Sequence, residues 1–131
     1  TFAIGKLQNG ATLLKYMAKY RLQTAPETYE MAREAAFRLE HLARRIAEVQ
    51  GESVDAIRMD VMNLEAQAAR HYWEAARHLV QLPPGVEWPT RETRGATDLV
   101  NQCLNYGYGI LYHRIEQAIM PAVAVRAQGR Q

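Results

Sequence analysis

A chain of 131 residues, 48% of them hydrophobic and 23% charged, has enough apolar side chains for one core and too little length to suggest a second full domain. No apolar run nears the roughly 20 residues that cross a bilayer, which excludes a spanning helix, and the single cysteine, Cys103, excludes an internal disulfide. The 16 basic against 14 acidic side chains leave a formal charge of +2, too small an excess to demand a strongly positive binding face.

Ile4, Leu7, Ala11, Leu14, Ala18 and Leu22 recur at steps of three and four, which predicts a first helix from about Lys6 to Arg21. Gly10 inside it costs up to about 1 kcal/mol relative to Ala. Thr24 and Glu27 form a capping-box pattern with Pro26 in the first turn, so a second helix is expected there. Its buried stripe reads Met31, Ala35, Leu39, Leu42, Ile46 and Val49, and Glu34 to Arg38 and Glu40 to Arg44 are four apart on a solvated face.

Gly51 marks the end of that helix, and Ser53 with Asp55 opens a long third one along Val54, Ile57, Val61, Leu64, Ala68, Tyr72, Ala75 and Leu79. Pro83, Pro84 and Gly85 stop it, and an irregular stretch with Trp88, Arg91 and Arg94 runs to about Ala96. Thr97 with Asp98 starts a fourth helix, whose stripe of Val100, Leu104, Gly107, Leu111, Ile115 and Ile119 lasts until Pro121, with a frayed tail to Gln131. Gly107 and Gly109 sit mid-helix, where close packing is the expected compensation. No segment alternates as a strand does, so the fold class is all-α, a helical bundle of about four main helices. A lone thiol and the lack of any signal-peptide pattern point to the cytoplasm.

The residue most at odds with its neighbourhood is Glu65, beside the third helix's apolar stripe among Val61, Met62, Ala68, Ala69 and Tyr72. A carboxylate there is costly unless it is paired or holds a cation. From the residues alone three readings stay open: a partner such as Arg58, a boundary position that reaches water, or a metal ligand. His71, Glu74 and His78 lie on the same helix, and Glu74 and His78 share a face. No Glu-x-x-His run, phosphate loop or nucleophile elbow occurs, so His71, His78, His41 and His113 read as surface or boundary histidines. Arg70, Arg77, Arg91 and Arg94 stand near Tyr72, Trp73 and Trp88, a mixture that suits phosphate contact and base stacking.

Three stretches carry a family resemblance: KLQNGATLLKY at Lys6 to Tyr16, LEAQAARHYW at Leu64 to Trp73, and DLVNQCLNYGYGILY at Asp98 to Tyr112. Together they resemble the CRISPR-associated integrase family, Cas-one, over nearly the whole chain. The resemblance implies a piece of a C-terminal helical catalytic domain, with an N-terminal beta domain before it and more of the helical domain after it. It also implies a metal-dependent DNA endonuclease and integrase that inserts new spacers into CRISPR arrays, in the cytoplasm of a prokaryote. The implied partners are DNA, a Cas-two subunit and a second copy of the full-length protein, with no membrane.

In that family a Glu matching Glu65, then a His and an Asp far downstream, hold Mg2+ or Mn2+. The stretch PAVAVRAQGRQ holds neither of the latter two, so the piece alone is expected to be nearly inert. Under this resemblance Glu65 is the metal and catalytic residue, and Arg70, Arg77, Arg91 and Arg94 are candidates for DNA contact. Ala66 stands where the family usually has Gly, and Gly10 follows Asn9 where Gln is common, which marks a divergent member. The alternative is a non-catalytic helical module for interaction or DNA binding, in which Glu65 pairs with an arginine.

Overall fold

The computed structural model describes residues 2–128. Its regular elements are α1 (Phe2–Ala18), a 3-10 turn (Lys19–Arg21), α2 (Pro26–Glu48), α3 (Val54–Leu79) and α4 (Leu99–Gln128). No strand occurs among the described residues, as the helical periods predict. The chain divides into two compact units, one up to Leu82 and one from Pro83, where length alone suggests a single one. The reason is local: Pro83 and Pro84 end helical structure, and the loop after them packs onto the start of α4 through its own hydrogen bonds.

In the first unit α1, α2 and α3 pack on one another pairwise. The core is made of Leu7, Ala11, Leu14 and Ala18 from α1, the stripe from Ala32 to Ile46 on α2, and Leu64, Ala68, Ala75, Ala76 and Leu79 from α3. Alanine supplies much of it, and small side chains let helix axes come close. Gly10 belongs to the same arrangement: a Cβ there would lie 3.1 Å from Leu39 Cδ2 and 3.4 Å from Tyr72 Cδ2. Its cost in helix propensity is therefore offset by contact that a larger residue would obstruct. Met31 and Val49, expected in the buried stripe, are only half-buried, because the α2 core follows Ala32, Ala36 and Ala43 instead.

The helix ends follow the predicted chemistry in part. Ser53 caps α3, accepting a hydrogen bond from Ala56 N at 3.2 Å. The capping box at Thr24 does not form. Pro26 sits in the first turn, which makes Ala25 the cap residue with no side chain to accept a bond, and the Thr24 hydroxyl donates to the Tyr20 carbonyl at 3.4 Å. The first helix also begins earlier than predicted, at Phe2. The other end of α3 receives the Arg21 guanidinium, which donates to the Leu79 carbonyl at 3.0 Å, where a cation meets the negative end of the helix dipole.

In the second unit the loop opens with a tight turn in which Val86 N donates to Pro83 O at 3.1 Å. Gly85 follows Pro84 with φ +80, the backbone that a type II turn needs at its third position. α4 departs from prediction in two ways. It runs through Pro121 to Gln128: a proline forfeits one intrahelical bond, and alanines at 122, 124 and 127 are the best residues to carry a helix onward. The end of the expected frayed tail, residues 129–131, lies outside the described residues. The predicted stripe is half-buried at Val100 and Leu104 but exposed at Leu111, Ile115 and Ile119. No atom lies within 4 Å of a Cβ built on Gly107 or Gly109, so the packing expected to compensate these glycines is not what the described residues provide.

Urea denaturation tests the packing of the first unit. Leu39→Ala is expected to cost about 2–5 kcal/mol through the cavity it leaves. Gly10→Val is expected to cost about 1–3 kcal/mol by pressing methyl groups against Leu39 and Tyr72.

Candidate metal and nucleic-acid site

Glu65 stands at the rim of the three-helix core, between the buried Leu64 and Ala68 of α3, with 31% of its side chain exposed. It accepts a hydrogen bond from Lys6 Nζ of α1, whose side chain is 67% exposed. Arg58, the partner weighed from sequence, pairs with Asp55 one turn before it. A half-exposed pair of this kind contributes only about 0–1 kcal/mol. The carboxylate is therefore neutralised by a counter-ion that is cheap to displace. Two of the three family-like stretches meet here in space, since Lys6 touches Glu65 and Gly10 approaches Tyr72.

The four arginines named from sequence divide by their surroundings. Arg70 is exposed on α3 and Arg94 is exposed in the loop of the second unit. Arg77 is half-buried and grips Glu74, with Nε to Oε2 at 3.1 Å and Nη2 to Oε1 at 2.8 Å. Arg91 donates to Asn101 Oδ1 at 3.2 Å and to the Glu92 carbonyl, and its guanidinium lies 5.7 Å from the centre of the Tyr108 ring. Arg70 and Arg94 are thus open to a ligand, whereas Arg77 and Arg91 already serve the fold.

The histidines behave as boundary residues. His78 Nε2 lies 3.3 Å from Glu74 Oε1, and the Arg77 hydrogen bonds, ahead of His78, hold the Glu74 carboxyl below its ordinary range. Burial, with Arg38 and Arg70 nearby, holds the His71 imidazole below its ordinary range. His113 is exposed on α4 with its Nε2 at 3.1 Å from Gln117 Nε2, and His41 is exposed on α2. Among the described residues no three His, Cys, Asp or Glu side chains come together as a metal would require. Glu65 by itself offers one hard oxygen ligand, and a complete cation shell would need donors from outside the described residues.

Sequence reading missed a polar side chain that ties the second unit together. Asn101 is 0% exposed and ties the loop to the first turn of α4. Its Nδ2 donates to Thr90 O and Asp98 Oδ2, both at 2.7 Å, and its Oδ1 accepts from Glu92 N at 2.9 Å. Asp98 Oδ1 caps the helix by accepting from Asn101 N at 2.9 Å, and that bond, with the side-chain one, holds the Asp98 carboxyl below its ordinary range. Asn105 and Gln102 reach back to the carbonyls of Thr93 and Ala96 at 3.3 and 3.4 Å. The available signal was the spacing Asp-x-x-Asn at a helix start, which lets one side chain cap and the other be held.

The family described as CRISPR associated protein Cas1 matches residues 1–122. The chain belongs to the Cas1 family. It is 34% identical over 117 residues to the CRISPR-associated endonuclease Cas1 of Hyperthermus butylicus, a match covering 89% of this chain and 32% of that protein. It is 29% identical over 126 residues to the CRISPR-associated endonuclease Cas1 1 of Archaeoglobus fulgidus, covering 90% and 35%. A CRISPR-associated protein Cas1 3 of Methanobrevibacter ruminantium is 31% identical over 67 residues, 51% of this chain and 20% of its own. The chain thus spans about a third of the length of the first two curated relatives. No helix among the described residues is long and apolar enough to cross a membrane.

Replacing Asn101 with alanine leaves the Glu92 amide and the Thr90 carbonyl without their Asn101 partner, at about 0.5–1.5 kcal/mol for each hydrogen bond lost. Faster amide hydrogen exchange at Glu92, with exchange at the core residue Leu39 unchanged, is the expected result. Because the Asp98 pKa is depressed on folding, this tie holds at neutral pH and weakens as pH falls through the lowered value.

Proposed function

We propose that this Cas1-family chain is part of the helical catalytic domain of a metal-dependent DNA endonuclease and integrase that inserts new spacers into CRISPR arrays. A beta domain would precede it and the remainder of the helical domain would follow. The observation that carries the reading is the placement of Glu65. In a chain whose relatives are named endonucleases, a carboxylate sits at the edge of the core with an exposed lysine as its only described ion partner.

Glu65 would hold one position on Mg2+ or Mn2+, with the remaining protein ligands drawn from outside the described residues. The chemistry such an ion supplies when bound is stabilisation of charge on a transferring phosphoryl group and orientation of the nucleophile, here a DNA 3' hydroxyl attacking a phosphodiester. Lys6 would yield Glu65 to the metal at little cost. Arg70 and Arg94, both exposed, are the stronger candidates for phosphate contact; Arg77 and Arg91 would support the surfaces that present them. DNA, a Cas2 subunit and a second copy of the full-length protein are the proposed partners.

A second reading, a non-catalytic helical module, draws on the same ion pair, because Lys6 already satisfies Glu65. Mn2+-dependent nicking and strand joining by the intact protein separate the two. Glu65→Ala is expected to reduce both by about a hundredfold or more, since such a metal contributes several kcal/mol to transition-state stabilisation, while Lys6→Ala keeps them. Equal activity in wild type and Glu65→Ala rejects the metal-ligand role.

A further inference from the structure

Glu65 meets α1, but two residues further on, and about 200° around the same helix, Gln67 begins a different surface. Gln67 and His71 of α3 face Arg38, His41 and Arg45 of α2 across a groove of about 270 Å³, with Leu42 among its lining residues. Leu42 is buried, so the groove has an apolar wall behind a cationic rim. We propose that this groove takes a backbone phosphate of a nucleic acid, held by Arg38 and Arg45 with His41, His71 and Gln67 as further donors.

The charge balance supports an anion. Glu34, the carboxylate whose charge acts on His71, is engaged by Arg38 in an ion pair, and Arg45 makes no ion pair among the described residues. Two guanidinium groups two turns apart on one helical face, backed by an apolar wall, concentrate positive potential where water is partly excluded. Every polar lining side chain has nitrogen donors, and none is a carboxylate. The groove also explains the predicted solvated face of α2 more fully. The pair from Glu34 to Arg38 forms as the spacing predicts, whereas Glu40 pairs with Lys15 of α1 in place of Arg44, and no ion pair forms at Arg44 or Arg45 among the described residues.

His71 reports the field inside. Its imidazole faces Arg38, Glu34, His41 and Arg45 of α2 and has Arg70 and Gln67 beside it on α3. Burial and then the Arg38 and Arg70 charges keep it below its ordinary range, with Glu34 pulling the other way. A phosphate in the groove reverses the repulsion and draws a proton onto the ring. Binding therefore tightens as pH falls, by up to about tenfold for each unit by which the bound phosphate raises the His71 pKa.

Nucleic acid as the source of the phosphate rests on the function proposed above; the groove itself does not. The test is fluorescence anisotropy of a labelled DNA duplex with the intact protein over a salt series. Arg45→Gln should weaken binding and lower the slope of log affinity against log salt by about one, the loss of one phosphate contact, while Arg45→Lys keeps the slope. Arg33→Gln, which alters an arginine paired with Glu30 on the same helix, should change neither. In parallel, NMR titration of the His71 ring should show its pKa rising when DNA is added, in wild type and in Glu65→Ala alike. That last arm separates failure of the groove from failure of the metal reading. Arg45→Gln indistinguishable from Arg33→Gln overturns the proposal. So does a His71 response to inorganic phosphate with none to DNA, which would mark a small-anion site.

Discussion

The close approach of α1 to its two neighbours is the constraint on which the first unit rests. A larger side chain at Gly10 would meet Leu39 and Tyr72, and Ala11 beside it is fully enclosed. Alanines at 36, 68 and 76 continue the same economy of volume on α2 and α3. With so little bulk between the axes, a lysine on the outer flank of α1 reaches a glutamate on α3, and Glu65 gains its counter-ion as a result of backbone proximity. A core of this type gives up apolar area per residue and gains precision of placement. For a carboxylate proposed to hold a metal within a few tenths of an ångström, that exchange is favourable.

Much of this was legible in the sequence because the determinants are local. Leu7, Ala11, Leu14 and Ala18 keep helical spacing and are all buried, and the Ser53 cap forms as its position suggests. The failures have physical causes that spacing does not encode. Pro26 at the first turn displaced the cap from Thr24 to Ala25, and Pro121 ended nothing because the alanines after it sustain a helix. Glu65 stood out as a residue needing a partner, but a lysine 59 positions earlier is invisible to any window along the chain. The family resemblance, by contrast, rested on three separated stretches, and a match over residues 1–122 bears it out.

Among its described residues the second unit has one buried large apolar residue, Trp88, and is otherwise tied together by polar side chains. Asn101, Gln102 and Asn105 turn back from α4 to loop carbonyls at Thr90, Thr93, Ala96 and Thr97, acceptors that an irregular loop does not pair within itself. Such a loop has its path set by the helix that follows it. Arg94 is carried on that path, between two residues whose carbonyls accept bonds from the amide of Asn105 or Gln102. Its presentation to solvent is a consequence of hydrogen-bond geometry, and no aromatic stacking is needed to explain it.

The apolar surface of α4 has a further consequence. Tyr106, Ile110, Leu111, Ile115, Ile119 and Met120 are each more than two-fifths exposed and are distributed around the helix. Water tolerates such a surface only at an entropic penalty, and excluded salts such as sulfate enlarge it. One 30-residue helix therefore carries a large share of the apolar surface that would favour association at high concentration, alongside Phe2, Phe37, Val54 and Met59 of the three-helix unit.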